Sequence, residues 1–166
     1  MNFSVLSSIY YKESPAYFNA CMESIWDAQT LRPTEIILIE DGPLTPELDE
    51  VIEQWQNKLG DTLCVKKLEK NVGTGKAKNI GLQTCTYDLV CIVDTDDICV
   101  PERFYKQIAF LNENLNISIV GGQIFEFIED IDIEPLYKEK NDDNFYYITA
   151  KSKNSLNSQF AKDDFV

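Results

Sequence analysis

The sequence of 166 residues contains no histidine at all. The usual zinc ligand sets, the serine-histidine-aspartate triad and the cysteine-histidine dyad all need an imidazole, so these chemistries are excluded. The five cysteines are odd in number and show no CxxC spacing, which argues against a disulfide framework. Thiols within apolar runs usually serve as small hydrophobic side chains, and the pattern indicates a reducing compartment.

Long apolar runs, a basic leader and an excess of positive charge are also missing. No segment approaches the ~18 apolar residues of a membrane span, and the N-terminus lacks a signal-peptide pattern. The 15 basic residues stand against 28 acidic ones, and the net charge of −13 argues against nucleic acid or an anionic membrane as main partner. We therefore expect a soluble cytoplasmic protein in which a phosphorylated ligand needs a bridging cation.

Apolar runs and helix-start signals alternate along most of the chain. Ser14-Pro15 and Thr45-Pro46 each place a capping side chain before a proline suited to the first helical position. This βαβ repetition predicts an α/β fold, with a mostly parallel sheet, helices on both faces and ligands beyond the carboxyl ends of the strands. The predicted strands are 3–9, 36–39, 62–68, 87–93, 117–120, 123–128 and, as a short candidate, 145–147. One predicted helix is 101–112, and a loop or an edge excursion is expected after 129.

An acidic cluster directly follows the apolar run 89–93: Asp94, Asp96 and Asp97 lie within four residues. Like charges this close repel and resist leaving water, so the cluster costs stability unless a cation or donor groups compensate it. Taken alone, it fits a turn and helix cap before Pro101 about as well as a metal site.

Strand ends in a parallel sheet cluster in space, which favours the metal site. Ser8 and Tyr10 follow the first strand, Asp41 follows the second and the acidic cluster follows the fourth, so all should lie at one edge. Carboxylate oxygens suit magnesium or manganese, which take only one or two protein carboxylates and fill the remaining positions with water and phosphate oxygens.

Three other motif assignments fail on spacing. The segment "GTGKAKN" is not a P-loop, since Ala77 stands where serine or threonine is needed, and not a dinucleotide fingerprint, since Lys78 takes the place of the third glycine. The acidic cluster is not a calcium-binding loop, because Ile98 and Cys99 occupy a ligand position and the glycine position.

Four segments in the same order resemble the family 2 glycosyltransferases of the GT-A fold, in particular the bacterial enzymes that build cell-surface polysaccharides. They are "FSVLSSIYYKE", "LRPTEIILIEDGPLTPEL", "KLEKNVGTGKAKNIGL" and "DLVCIVDTDDICVPERFYKQIAFL", and the resemblance runs from Phe3 to about Phe127. It implies a GT-A-like, Rossmann-like sheet that binds a nucleotide-sugar.

The same resemblance implies roles for individual residues. Asp94 and Asp96 would form the DxD motif that holds Mn or Mg with the donor's diphosphate and ribose, and Asp41 would contact the nucleotide base. Lys78 stands where the family has arginine, which keeps the charge but loses the bidentate fork. The expected nucleotide-sugar-binding set is Ser8, Tyr10, Asp41, Lys76, Lys78, Asp94, Thr95 and Asp96, with Asp94 and Asp96 as metal ligands.

The resemblance also implies a reaction, in which a sugar passes with inversion from a UDP-sugar donor to a saccharide or lipid-linked acceptor. We expect residues 1–166 to form one nucleotide-sugar-binding domain whose acceptor part, after about residue 130, is incomplete, so that the catalytic base lies beyond the chain end. Asp163 and Asp164 match the preceding segment of the family pattern and are not favoured as the base. Peripheral association with the cytoplasmic face of the inner membrane is an option for the full-length protein.

Two alternatives remain at this point. The chain could be a non-catalytic fragment that binds nucleotide-sugars without turnover, because no base is evident. It could also be a sugar nucleotidyltransferase, although such an enzyme would carry a glycine-rich phosphate loop after its first strand, where "SSIYYKES" has no glycine.

Overall fold

A computed structural model describes residues 2–124, 137–138 and 147–148, and it confirms the predicted alternation of strands and helices. The chain divides into two compact units, residues 1–121 and 122–166, and the single domain expected from the sequence stays a prediction. The elements are β1 (Ser4–Ile9), α1 (Pro15–Ile25), β2 (Glu35–Glu40), α2 (Pro46–Leu59), a short 3-10 turn (Gly60–Thr62), β3 (Leu63–Lys67), α3 (Thr74–Leu82), β4 (Val90–Ile92), α4 (Arg103–Glu113), β5 (Tyr137–Lys138) and β6 (Tyr147–Ile148).

The first unit is built on a parallel sheet with the strand order β3-β2-β1-β4. Strand β1 is central and pairs in register with β2 on one side, from Ser4 opposite Glu35 to Ile9 opposite Glu40. It pairs with β4 on the other side. The apolar run of β2 is buried along its length, as expected of a strand that helices cover on both faces.

Helices cover both faces of this sheet, as predicted. On one face, Val5 and Leu38 belong to a core cluster with Phe18 of α1 and Phe104 of α4. On the other face, α3 packs so closely that a Cβ on Gly81 would lie 3.0 Å from the Ile39 side chain. The small residue therefore lets this helix approach the sheet.

Both predicted helix starts are confirmed. The Ser14 hydroxyl accepts a hydrogen bond from the Tyr17 amide at 3.5 Å, and the Thr45 hydroxyl accepts one from the Leu48 amide at 3.3 Å. In each case the capping side chain satisfies an amide that has no partner within the helix, and the proline that follows needs none.

Several predicted elements differ from the structure. Strand β4 is shorter than the predicted range 87–93, because only Val90–Ile92 pairs with β1 as a strand. The strand predicted at 117–120 is wrong, since this exposed segment has no partner strand among the described residues and an unpaired strand leaves its amides and carbonyls unsatisfied. Residues 123–124 are also not a strand, and 125–128 lie outside the described part.

In the second unit, β5 and β6 pair antiparallel. The stretch after 129, predicted as a loop or an edge excursion, contains the short strand Tyr137–Lys138, whose backbone pairs with β6. The short strand candidate 145–147 overlaps β6 at Tyr147, while 145–146 are not among the described residues. Across the described residues of both units, no helix is long and apolar enough to cross a bilayer.

Candidate functional site

Polar residues follow three neighbouring strands at the carboxyl edge of the parallel sheet. Tyr10 follows β1, Asp41 follows β2, and the segment Asp94–Asp97, here called the acidic turn, comes shortly after β4. The amide of Asp97 donates to the carbonyl of Asp94 at 3.1 Å, which closes the turn. Since β1 lies between β2 and β4, the axes of β2 and β4 are about 10 Å apart.

Asp41 is buried, with 4% of its surface exposed, and it holds the loop that leads into α3. One carboxylate oxygen accepts from the Val72 amide at 2.6 Å and the other from the Gly73 amide at 2.9 Å. Its carbonyl accepts from the Asn71 side chain at 3.2 Å. Carboxylate oxygens can accept further bonds, so the predicted contact with a nucleotide base stays a prediction.

The chain turns sharply after Asp41 because Gly42 adopts a φ of 89°. A Cβ at this position would lie 2.6 Å from the Asn71 backbone nitrogen. Glycine therefore permits both the left-handed backbone and the close approach of the loop that Asp41 holds.

The acidic turn is open to solvent and has excess negative charge. Asp96 and Asp97 are exposed, and the Asp94 side chain is 57% exposed. Partial burial, followed by repulsion from Asp96 and Asp94, raises the pKa of the Asp97 carboxyl, while Arg103 and Lys78 act in the opposite direction. The nearby cations therefore compensate the three carboxylates only in part.

Lys78 of α3 forms an ion pair with one carboxylate oxygen of Asp94. Its side chain is 18% exposed, so the ammonium is held at the acidic turn. Lys76 is exposed, and no carboxylate in the described part of the chain lies within ion-pair distance of it. Lys76 and Lys78 belong to the same predicted binding set, but the structure holds only Lys78 of these two at the acidic turn.

The acidic turn and the residues after it are held mainly by α1 and the loops at its two ends. Cys21 and Ser24 of α1, Glu13 before this helix and Gln29 after it all make hydrogen bonds to that segment. The pairs are Thr95 Oγ1 to Glu13 Oε2 at 2.8 Å, Cys21 Sγ to the Asp94 carbonyl at 3.4 Å, the Cys99 amide to Ser24 Oγ at 3.0 Å and Gln29 Nε2 to the Val100 carbonyl at 2.9 Å.

Arg103, the first residue of α4, supports the same segment from the other side. Its guanidinium donates to the Ile92 carbonyl at 3.0 Å and to the Cys99 sulfur at 3.0 Å. The sequence pattern singled out neither Arg103 nor Glu13, although both lie inside segments that carry the family resemblance. The signal that could have identified both residues is a charged side chain within or next to a segment that resembles the family.

Ser8, Tyr10 and Thr95 differ in how accessible they are. Ser8 is partly buried in β1, opposite Ile39 of β2. Tyr10 is 41% exposed and packs edge-to-face on Tyr11, with the ring centroids 5.8 Å apart. Thr95 is only 4% exposed, and its hydroxyl donates to Glu13. Their roles toward a ligand stay predictions.

The donor set of the acidic turn fits a hard divalent cation. Asp94 and Asp96 offer exposed carboxylate oxygens, and among the described residues no group of three or more acidic, cysteine or histidine side chains converges. Magnesium needs only one or two protein carboxylates when phosphates and water complete its shell, so two ligands suffice. Asp163 and Asp164, the rejected candidates for the base, lie outside the described residues.

Comparison with known proteins gives consistent results. A family profile described as "Glycosyl transferase family 2" matches residues 7–162. The amylovoran biosynthesis glycosyltransferase AmsE of Erwinia amylovora is 41% identical over 99% of this chain and 61% of its own length. The UDP-Gal:alpha-D-GlcNAc-diphosphoundecaprenol beta-1,3-galactosyltransferase of Escherichia coli is 40% identical over 75% of this chain and 44% of its own. The chain thus spans roughly half the length of these relatives.

Solved structures agree on the fold. TarS 1-349 of S. aureus in complex with UDP-GlcNAc matches with a TM-score of 0.59 and 30% identity, over 69% of this chain and 32% of that one. The mannosyltransferase PcManGT from Pyrobaculum calidifontis, in complex with GDP-Man and Mn²⁺, has a TM-score of 0.58 and 17% identity, over 66% of this chain and 32% of its own. These neighbours are GT-A glycosyltransferases, which confirms the predicted fold class.

Proposed function

Since this chain belongs to glycosyl transferase family 2, we propose that it forms the donor-binding part of an inverting, metal-dependent glycosyltransferase of surface-polysaccharide biosynthesis. The donor that it binds is a nucleotide-sugar, namely a UDP-sugar. The acceptor is a saccharide or a lipid-linked saccharide. Because the chain spans 61% and 44% of the two relatives described above, the activity of the whole protein is part of this proposal.

The observation that carries the proposal is the acidic turn at the carboxyl edge of the sheet. Asp94 and Asp96 are exposed there, and partial burial together with their repulsion raises the pKa of the Asp97 carboxyl. A protein gains nothing in stability from three neighbouring carboxylates unless a positive group joins them. A divalent ion and a diphosphate satisfy this requirement together, because the ion neutralises the turn and the phosphates complete the ion's ligands.

Each part of the site has a distinct task in this proposal. Asp94 and Asp96 would hold the cation, which when bound would stabilise negative charge on the departing nucleoside diphosphate. Lys78, already held beside Asp94, supplies a second positive charge within reach of the same phosphates. Asp41 keeps the loop before α3 in place and thereby the position of that helix.

The donor and acceptor classes rest on the relatives. The Escherichia coli protein is named for UDP-Gal and for a diphosphoundecaprenol-linked acceptor, and the TarS structure is titled as a UDP-GlcNAc complex. These names support a uridine nucleotide as the donor part and a lipid-linked saccharide as one acceptor class. With such an acceptor, we propose that the full-length protein acts at the cytoplasmic face of the inner membrane.

Calorimetry tests the donor site directly. UDP is titrated into the protein with and without Mn²⁺, and the titration is repeated with Asp94→Asn and Asp96→Asn. We expect Mn²⁺ to strengthen UDP binding in the wild type and each substitution to weaken the Mn²⁺-dependent binding by at least about tenfold, since each removes one of only two protein ligands. UDP binding that ignores both the metal and the substitutions would contradict the proposal.

Asp88→Asn is the matched control, because this exposed aspartate precedes β4 and so lies toward the opposite edge of the sheet. It changes the net charge equally and should leave UDP binding unchanged. A transfer assay with UDP-sugars and saccharide acceptors then separates a transferase from a fragment that binds the donor without turnover.

A further inference from the structure

Glu13, in the loop between β1 and α1, connects two parts of the candidate site. Its amide donates to the Tyr10 carbonyl at 3.0 Å, so it belongs to the turn that follows β1. One carboxylate oxygen accepts from the Ser14 amide at 2.8 Å. The other accepts from the Thr95 hydroxyl at 2.8 Å, across 82 positions of sequence.

Thr95 is the residue through which Glu13 reaches the candidate metal ligands. It lies between Asp94 and Asp96 and is only 4% exposed, while both neighbours are open to solvent. A buried hydroxyl with a fixed acceptor has one favourable orientation, and an unpaired one carries a desolvation cost. The Glu13 contact therefore fixes the peptide from which both aspartates project.

Glu13 also contributes to the charge around the acidic turn. Its carboxylate adds a negative charge beside the acidic turn, and none of the lysines and arginines in the described part forms an ion pair with it. Carboxylates this close repel one another. A bound cation would offset this repulsion.

We propose that Glu13 is a positioning residue that joins the Tyr10 turn to the acidic turn, so that the nucleotide side and the metal side of the site behave as one unit. This inference rests on the proposed function, because it assigns Glu13 to the binding of Mn²⁺ and UDP. Glu13 touches neither ligand and acts through Thr95. Coupling between the two sides is reciprocal, so UDP and Mn²⁺ should each strengthen the other through this contact.

The experiment measures Mn²⁺ binding by electron paramagnetic resonance of the free ion and UDP binding by calorimetry at saturating Mn²⁺. The variants are Glu13→Ala, Thr95→Val, the double variant and Thr95→Ser. We expect Glu13→Ala and Thr95→Val each to weaken both affinities about tenfold, and the double variant to be no weaker than either one, as for residues that act through one contact. Thr95→Ser keeps the hydroxyl and should retain the wild-type affinities.

Ser14→Ala is the matched structural control. It removes the cap of the same helix, one residue from Glu13, and should lower the urea midpoint while leaving Mn²⁺ and UDP binding within twofold of the wild type. Glu13→Ala with a lowered urea midpoint and unchanged affinities would overturn the inference, because Glu13 would then serve folding only.

Two further outcomes separate this inference from the proposed function. Additive losses in the double variant overturn the route through Thr95, although the donor site itself stands. A wild-type protein that binds neither Mn²⁺ nor UDP overturns the proposed function, and the role of Glu13 is then overturned with it.

Discussion

Asp41 and the acidic turn lie at the same edge of one sheet, yet their surroundings differ. Asp41 is buried and both of its carboxylate oxygens accept backbone amides. Asp94, Asp96 and Asp97 are open to solvent, repel one another and have one ion pair to Lys78. Backbone amides satisfy the Asp41 carboxylate, whereas cations from solution can reach the carboxylates of the acidic turn.

We infer from this difference that carboxylates within one site have two roles, support of the fold and binding of a ligand. A carboxylate that amides satisfy stabilises the fold through charge-assisted hydrogen bonds. Carboxylates that neighbours only partly neutralise cost stability and become favourable when a cation binds. The same residue type therefore has different surroundings after β2 and after β4. We expect substitutions to affect folding on the first side and ligand binding on the second.

The largest expected effect is on folding, from Asp41→Ala. The substitution leaves the amides of Val72 and Gly73 without their acceptor. Two charge-assisted hydrogen bonds to a buried carboxylate predict a loss of about 3 kcal/mol in the free energy of unfolding. Urea denaturation monitored by circular dichroism measures this loss.

Asp94→Ala is the control on the other side of the comparison. It removes one ion pair of an exposed carboxylate, so its free energy of unfolding should stay within about 0.5 kcal/mol of the wild type. If Asp94→Ala destabilised the protein more than Asp41→Ala, the division between support and ligand binding would be wrong.

A smaller effect concerns Glu40, which precedes Asp41 and has a side chain that is 3% exposed. Burial raises the pKa of this carboxyl above its usual 4.5, and Lys67, whose ammonium lies 3.0 Å away, opposes the increase. The native state thus keeps the proton to a higher pH than the unfolded chain does. The free energy of unfolding should therefore fall as the pH rises from 4.5 through the native pKa.

Urea denaturation across this pH range checks the sign. Glu40→Gln removes the titrating group, so the fall should flatten. Lys67→Met removes the opposing cation and should steepen the fall. An unchanged pH dependence in Glu40→Gln would assign it to other groups.

The smallest effect concerns Lys78, whose ion pair with Asp94 would compete with a metal ion for that carboxylate. Replacing Lys78 by Met should raise the affinity for Mn²⁺ alone about threefold, because exposed ion pairs contribute up to about 1 kcal/mol. UDP affinity at saturating Mn²⁺ should fall instead, since a positive charge near the phosphates is lost. The free-ion resonance signal and calorimetry measure the two affinities.

Lys76→Met provides the matched comparison, because it removes the same charge from the same helix at an exposed position. Its Mn²⁺ affinity should change less than twofold. Equal changes in the two variants would mean that net charge, and not the contact with Asp94, determines the effect.

Local signals in the sequence predict most of the first unit. The apolar runs of β1 and β2 and the Ser-Pro and Thr-Pro starts of α1 and α2 were predicted within about one residue, because burial and capping act over a few neighbouring positions. The strand predicted at 117–120 failed because a strand also needs a partner, and three apolar residues around Ser118 do not provide one.

The contacts within the site could not be predicted in this way. Asp41 binds amides more than 30 positions later, and Glu13 meets Thr95 across 82 positions. The sequence placed Lys76 and Lys78 in one motif, whereas only packing of α3 against the sheet brings Lys78 to Asp94. No local pattern encodes such pairs, since they depend on how distant elements meet.

The sequence by itself determined the family, the α/β alternation and the concentration of carboxylates after the fourth strand, since each depends on residue types at short spacing. The tertiary structure alone decided which carboxylates are satisfied and which remain available, because neighbouring strands and helices supply the partners. Strand order places Asp41 and Asp94 on either side of β1. Burial then gives one of them backbone amides and leaves the other open to solvent and Lys78.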